Sequence, residues 1–416
     1  MNRTLYSLVG YLLLPLLIIR LFAKSVKAPA YRKRILERLG FVQKINTPVI
    51  WIHCVSVGEF RASITLIDTL IKQHPQHKIL VTTTTPTGSS ALKQHYKNQV
   101  LHYYFPFDLS LIVKRYIKRI NPDLCILMET EIWPNLIHAL KQRNIPSILI
   151  NARLSRRSLE KYQKFAPKLI SKTLNQLTLI ATQNQNSATR FIQLGVVENK
   201  VINTGNIKFD LNPTANSATT ETLKQIIGPR KVITFASTHA GEEAEIIKHY
   251  VKVKEQIDAL LVIIPRHPER FNEVEKLAKN ADLTVARRSN ATPNNTAQIL
   301  LGDSMGEMLS YFAISDIVFM GGSLNQTGGH NMLEPAAHSK AIIFGPNVFN
   351  FAEISADLLN NQASIQVQNA QALFTQIISL LGNSQQLEVL GKNAKQYFDS
   401  QKGAVKKIAK LIKNII

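Results

Sequence analysis

The chain has 416 residues, too many for one comfortable core, so two domains of roughly 150–200 residues are expected. Hydrophobic residues make up 45% and charged residues 19%, which excludes a disordered chain. The 50 Lys and Arg against 28 Asp and Glu leave a formal charge of +22, so an anionic partner is required: nucleic acid, an acidic membrane or a phosphorylated substrate.

The first predicted element, Leu5–Ala23, is almost wholly apolar, with Arg20 its only charge. That is close to the roughly 20 residues that cross a bilayer, so residues 1–30 are expected to be a membrane anchor with a basic flank. Pro15 and the shortness of the strictly apolar core also fit a cleaved signal peptide. Arg20, Lys24, Lys27, Arg32, Lys33, Arg34 and Arg38 follow, with only Arg3 ahead. The positive-inside rule then keeps the rest of the chain in the cytoplasm, with its collar on anionic headgroups.

From residue 48 short apolar runs alternate with longer amphipathic stretches. The first set of predicted strands is Val49–Cys54, Lys78–Thr83, Leu101–Phe105, Asp123–Met128, Ser147–Asn151 and Leu177–Ala181. The second is Lys231–Ala236, Ala259–Pro265, Leu283–Arg287, Gln298–Leu301, Asp316–Met320, Ala341–Phe344 and Ser364–Val367. Continuous Val/Ile/Leu runs rather than alternations mark parallel strands covered by helices on both faces, hence an α/β fold. The expected architecture is two Rossmann-like domains, 31–210 and 231–416, joined by a polar linker at 211–230, with a basic amphipathic helix ending the second. Cys54 and Cys125 sit in apolar runs and read as buried core thiols in a reducing compartment.

In such sheets ligands bind beyond the carboxyl ends of the strands. Several unusual segments fall there. After the first strand HCVSVGEF runs through small residues to Glu59, either a first-turn helix charge or a catalyst. METEIWPN places Glu129 and Glu131 at the next mouth of the sheet, and Lys208 lies near the junction of the domains. In the second half the loop GGSLNQTGGHNMLEPAA at 321–337 pairs four glycines with Asn331 and Glu334 where a helix begins, a setting for a nucleotide. Arg266 ends an apolar strand in Pro265-Arg266-His267-Pro268, where a guanidinium can grip phosphate. Gly306-Glu307-Met308 reads equally as a helix start or a nucleotide contact. No Walker loop or GxGxxG follows the first strand, against a P-loop ATPase and a dinucleotide dehydrogenase. His239, His267 and His330 lack an accompanying carboxylate or cysteine cluster, so no metal is expected. With 7% aromatic residues and no stacking platform, nucleic acid is not the expected partner.

Taken together, SVGEF, METEIWPN, NARLSRRS, GNIKFD, PRHPER, GEM and GGSLNQTGGHNMLEPA resemble the 3-deoxy-D-manno-oct-2-ulosonic acid (Kdo) transferases of Gram-negative lipopolysaccharide assembly. The resemblance runs in order from the anchor to about residue 350. It implies a GT-B glycosyltransferase with a cleft between two Rossmann-like domains. It also implies CMP-Kdo as donor and a tetraacylated, bisphosphorylated diglucosamine precursor of lipid A as acceptor. Inversion at the anomeric carbon without a bound metal and an inner-membrane location belong to the same expectation.

By that resemblance Glu59 is the catalytic base, and Glu129 and Lys208 stabilise the transition state, with Glu131 an alternative to Glu129. Pro265, Arg266, Gly306, Glu307, Met308, Asn331, Met332, Leu333 and Glu334 map to CMP contacts. A nucleotide-sugar epimerase of the same fold, or a membrane-tethered binding protein with a degenerate site, are the rival readings. Neither explains the anchor, the basic collar and the intact site residues together.

Overall fold

The structure, a computed structural model, describes residues 2–211, 213–293 and 296–416. Two compact units form, one comprising the chain up to Leu211 together with Lys402–Ile416, the other continuing to Gln401. Each is built on a parallel seven-stranded sheet.

In unit 1 the strands are β1 (Val49–His53), β2 (Lys78–Thr83), β3 (Leu101–Tyr104), β4 (Leu124–Met128), β5 (Ser147–Ala152), β6 (Leu179–Thr182) and β7 (Val201–Asn203). Their order is β3-β2-β1-β4-β5-β6-β7. β1 and β4 are buried at every residue, and the sheet parts two apolar layers, one around Trp51 and Tyr116, the other around Phe60 and Leu66. Nothing in the sequence marks β7, which has only three residues, two of them exposed at the sheet's edge.

Unit 2 contains β8 (Lys231–Thr238), β9 (Ala259–Pro265), β10 (Val285–Arg287), β11 (Ile299–Leu301), β12 (Ile317–Met320), β13 (Ala341–Phe344) and β14 (Ser364–Gln366). They lie in the order β10-β11-β9-β8-β12-β13-β14. In unit 1 the chain builds outward from β1 through β2 to β3, in unit 2 it runs from β8 through β9 to the edge strand β10 and fills β11 between the last two, and each then returns to the other side of its first strand. The order therefore reverses between β1 and β4 and between β8 and β12, the positions where an open α/β sheet leaves a crevice.

Two expectations about organisation are corrected. The stretch 211–230 is not a bare linker: Ser217–Ile227 is a helix that buries Leu223, Ile226 and Ile227 against Val262, Ile264 and Tyr311 of unit 2. These three apolar residues, spaced i, i+3 and i+4, supply the stripe that the polar first half conceals.

The terminal helix, Ala404–Lys413, belongs to unit 1 rather than to the second domain. Ala404, Val405, Ile408 and Ile412 join the layer containing Phe60 and Leu66. Its first turn is held by the Asp210 carboxylate, which accepts from the Gly403 and Val405 amides at 2.6 Å each. A carboxylate there satisfies donors that have no intrahelical partner and opposes the helix dipole.

Ile408 is fully buried in this layer. Ile408→Ala should therefore cost unit 1 about 2–5 kcal/mol. Denaturant unfolding should show a lower midpoint for unit 1 and an unchanged one for unit 2.

Candidate active site

In unit 1 the groups beyond β1 and β4 meet. Helix Val57–Gln73 begins after β1, with Ser56 as N-cap accepting from the Glu59 amide at 3.4 Å. Glu59 Oε2 reaches back to accept from the Val55 amide at 2.8 Å, which fixes the carboxylate on the first turn. Burial pushes Glu59 up from 4.5 to about 8; the Val55 amide opposes this, Glu129 and Glu131 add to it, and Lys208 pulls against it. Desolvation thus outweighs the helix start.

After β4 the chain turns sharply. Glu129 adopts φ +54°, a left-handed conformation costly for a residue with Cβ, and its amide donates to Ile150 O. This turn removes the strand periodicity that would put Glu129 and Glu131 on one face. Glu129 Oε1 pairs with Lys208 Nζ at 2.9 Å. Glu131 instead accepts from Trp133 Nε1 at 2.7 Å and lies 3.5 Å from Nε2 of the buried His53.

Lys208 sits on a short 3-10 turn, Ile207–Asp210, capped by Asn206, whose side chain accepts from the Lys208 amide at 3.0 Å. The buried Asn151 at the end of β5, itself at φ +49°, accepts from the Ile207 amide at 3.2 Å. Asp210 ties the same turn to the terminal helix. Glu59, Glu129 and Lys208 are thereby set by three different elements. Sequence reasoning missed Asn151, Asp210 and His53, because their bonds run to partners distant in the chain.

Unit 2 brings together the segments after β8, β9 and β12. Glu242, 2% exposed, accepts from His239 N at 3.0 Å, Gly322 N at 2.7 Å, Ser323 N at 3.0 Å and Leu324 N at 2.9 Å. One carboxylate therefore shapes the whole start of the glycine-rich loop. Sequence reading noted the segment STHAGEE but not this residue, since backbone donors leave no pattern in a sequence. Gly321 is required by close approach: a Cβ there would stand 2.6 Å from Ser237 O and 2.7 Å from Thr238 Cα.

His239 and His330 stack with their planes 6° apart, and their Nε2 atoms are 2.8 Å apart, so one nitrogen donates and the other accepts. His267 meets His239 edge-on at 5.5 Å. Burial, then His239, Arg266 and His267, hold His330 down to about 4. Among the described residues no group of three or more His, Cys, Asp and Glu is arranged to hold a metal ion.

Arg266, exposed beyond β9, donates its amide to Thr238 O at 2.9 Å and forms no ion pair among the described residues. Asn331 Nδ2 donates to Glu334 Oε1 at 3.1 Å. Met332 and Leu333 are buried, so only their backbone can face a ligand. Gly306, Glu307 and Met308 follow β11. Glu307 is engaged by the Ser304 hydroxyl and by Arg288, whose Nε is 3.2 Å away, and Gly306 takes φ +88°. Charge and backbone amides at strand ends suit an anionic ligand.

Residues 33–211 match the family model "3-deoxy-D-manno-octulosonic-acid transferase (kdotransferase)", and residues 242–397 match "glycosyl transferases group 1". The 3-deoxy-D-manno-octulosonic acid transferase of Haemophilus influenzae is 40% identical, across 99% of this chain and 98% of that protein. The chain belongs to the Kdo transferase family. The corresponding enzyme of Rickettsia bellii is 33% identical over 95% of both chains.

Among solved structures, a glycosyltransferase from Rickettsia africae aligns with TM-score 0.59 at 17% identity, covering 89% of this chain and 99% of that one. A UDP-GlcNAc 2-epimerase from Neisseria meningitidis aligns with TM-score 0.62 at 16% identity, covering 88% and 100%. At such identities these likenesses show a two-domain GT-B-like fold and nothing of the reaction. As a Kdo transferase the protein is a glycosyltransferase that transfers Kdo in lipopolysaccharide biosynthesis.

Two measurements check this geometry. Because Glu59 titrates at about 8 in the fold against 4.5 unfolded, the native state holds its proton longer, and wild type loses stability as pH rises through that window. Glu59→Gln should thus gain melting temperature relative to wild type from pH 4.5 to about 8, with a constant difference above. Glu242→Ala should accelerate hydrogen exchange at Gly322, Ser323 and Leu324 at least about tenfold, leaving the amides of β8 and β9 unchanged.

Proposed function

We propose that the enzyme transfers Kdo from CMP-Kdo to the tetraacylated, bisphosphorylated diglucosamine precursor of lipid A, inverting the anomeric carbon in a single displacement. The observation that carries this is Glu59, a carboxylate raised to about 8 and fixed at the switch point of unit 1. An acceptor hydroxyl attacks the anomeric carbon as its proton passes to Glu59. The bond from that carbon to the phosphate oxygen breaks, and CMP leaves with the electron pair. A base near neutral pH suits this transfer. The inverting geometry needs one such carboxylate on the acceptor side.

Positive charge gathers on the sugar in the transition state, while phosphate charge grows on the leaving group. The Glu129–Lys208 pair supplies fixed charge to this step. Glu129, rather than Glu131, takes the role, since Glu131 is committed to Trp133 and faces His53. Arg266, with amides of the Gly306–Met308 and Asn331–Glu334 segments, holds the CMP-Kdo phosphate and nucleoside; no metal enters the scheme.

The acceptor's phosphates and the anionic membrane surface face Arg32, Lys33, Arg153 and Arg157. Arg34 and Arg38 leave the expected collar. Arg34 bonds Glu37 and His102 O, and Arg38 is buried with its guanidinium on Thr84 O and over the Tyr104 ring. Charge reversal aimed at the surface belongs at Arg32 and Lys33.

Incubation with CMP-Kdo and the lipid A precursor should yield a Kdo-bearing lipid by mass spectrometry. Glu59→Ala should lower the rate about 10²–10⁴-fold. In wild type kcat/KM should fall on the acid side of about pH 8, where Glu59 is protonated. Near-normal turnover by Glu59→Ala would remove it as the base.

A further inference from the structure

The first helix, Arg3–Lys27, turns a polar stripe of its first turns inward. One stripe, beginning Arg3, Tyr6, Ser7, Gly10 and Tyr11 at three- and four-residue spacing, turns toward unit 1. Arg3 Nη1 and Ser7 Oγ both donate to Asn135 Oδ1, at 3.2 and 2.8 Å. The Tyr6 hydroxyl bonds the Asp108 carboxylate. Tyr11 accepts at its hydroxyl from the Leu111 amide at 3.0 Å and lies 3.2 Å from Ser110 Oγ.

The groups that receive the helix are themselves part of the core. Asn135 and Asp108 are buried and joined, the Asn135 amide donating to Asp108 Oδ2 at 3.0 Å and its side chain to Asp108 O at 2.7 Å. At Gly10 the approach is so close that a Cβ would stand 2.6 Å from Leu109 Cδ2. The opposite stripe is apolar and uncovered: Leu5, Leu8, Leu12, Leu13, Leu16 and Ile19 are between 45% and 71% exposed.

A helix of 25 residues is about 37 Å long, enough to span. Spanning, however, would carry Arg3–Tyr11 across about 30 Å of hydrocarbon, away from Asp108 and Asn135. Those buried polar groups would lose partners that the fold provides, at a cost for each. A docked helix keeps them and still offers its apolar stripe to lipid.

We propose that this helix does not cross the bilayer but lies within one leaflet of an anionic membrane. Its outward leucines enter the acyl boundary, and the exposed Arg20, Lys24, Arg32 and Lys33 rest on the headgroups. The basic flank and the +22 charge match such a surface and no neutral one. Unit 1 is then held against the membrane by a rigid contact instead of a tether.

Cys54 and Cys125 are fully buried, so a maleimide that cannot cross membranes reads only an introduced cysteine. Asn2→Cys and Gln401→Cys would each be reconstituted into vesicles of phosphatidylethanolamine and phosphatidylglycerol. Labelling of both variants from the same side, in equal fractions, is the expected result. Labelling of Asn2→Cys only from the side opposite to that which labels Gln401→Cys, or only after detergent, would overturn the proposal. A fluorophore on Leu16→Cys gives a second reading. A nitroxide near the headgroups should quench it more strongly than one at the acyl ends, and the reverse order would place Leu16 at the centre of a spanning helix.

Discussion

Strands that are apolar along their whole length and covered on both faces leave charged groups one place to stand: beyond the carboxyl ends. Every residue of β1 and β4 is buried, and the one polar side chain among them, His53, stands at the carboxyl end of β1. Because both sheets reverse their order beside the first strand, the loops released there diverge and leave a recess bordered by helix starts and turns. Glu59, Glu129 and Lys208 in unit 1, and Arg266 with the glycine-rich loop in unit 2, follow from this constraint. Positive φ occurs at these ends too, at Glu129 just after β4, Asn151 near the end of β5 and Ser237 near the end of β8.

The strands could be read because apolar runs of this kind leave few other structures available. Only β7 escaped, for an exposed three-residue edge strand buries too little to mark its sequence. The helix Ser217–Ile227 was hidden by its polar first turns. Glu59 was legible as a helix start following small residues. The choice between Glu129 and Glu131 was not, because it depends on where the chain leaves the strand and turns left-handed. Glu242 was invisible for another reason: its four partners are backbone amides, which every sequence possesses. What pattern supplies is elements and their ends; what it omits is which distant amide or carboxylate each end finds.

Glu59 joins two demands that usually conflict. As the third residue of its helix it should be favoured as an anion, and its bond to the Val55 amide works in that direction. Burial and two neighbouring carboxylates work against it and prevail. The capping bond thus fixes the position of a group that the surroundings keep basic. In unit 2 the balance runs the other way for histidine, as burial and nearby cations keep His330 neutral and its shared contact with His239 short. Burial thus leaves His330 neutral beside the Arg266 guanidinium.

The embrace of the terminal helix by Asp210 reaches back to the order of synthesis. Lys402–Ile416 leave the ribosome after the whole of unit 2, yet they complete unit 1, whose other residues were made before it. Until then the turn bearing Lys208 lacks the amides of Gly403 and Val405, and the layer beside Phe60 lacks Ile408 and Ile412. Unit 2, by contrast, has its whole sequence once Gln401 has emerged. The unit that carries Glu59 is therefore completed after unit 2, and a chain broken off before Lys402 lacks the helix that closes its Phe60 layer.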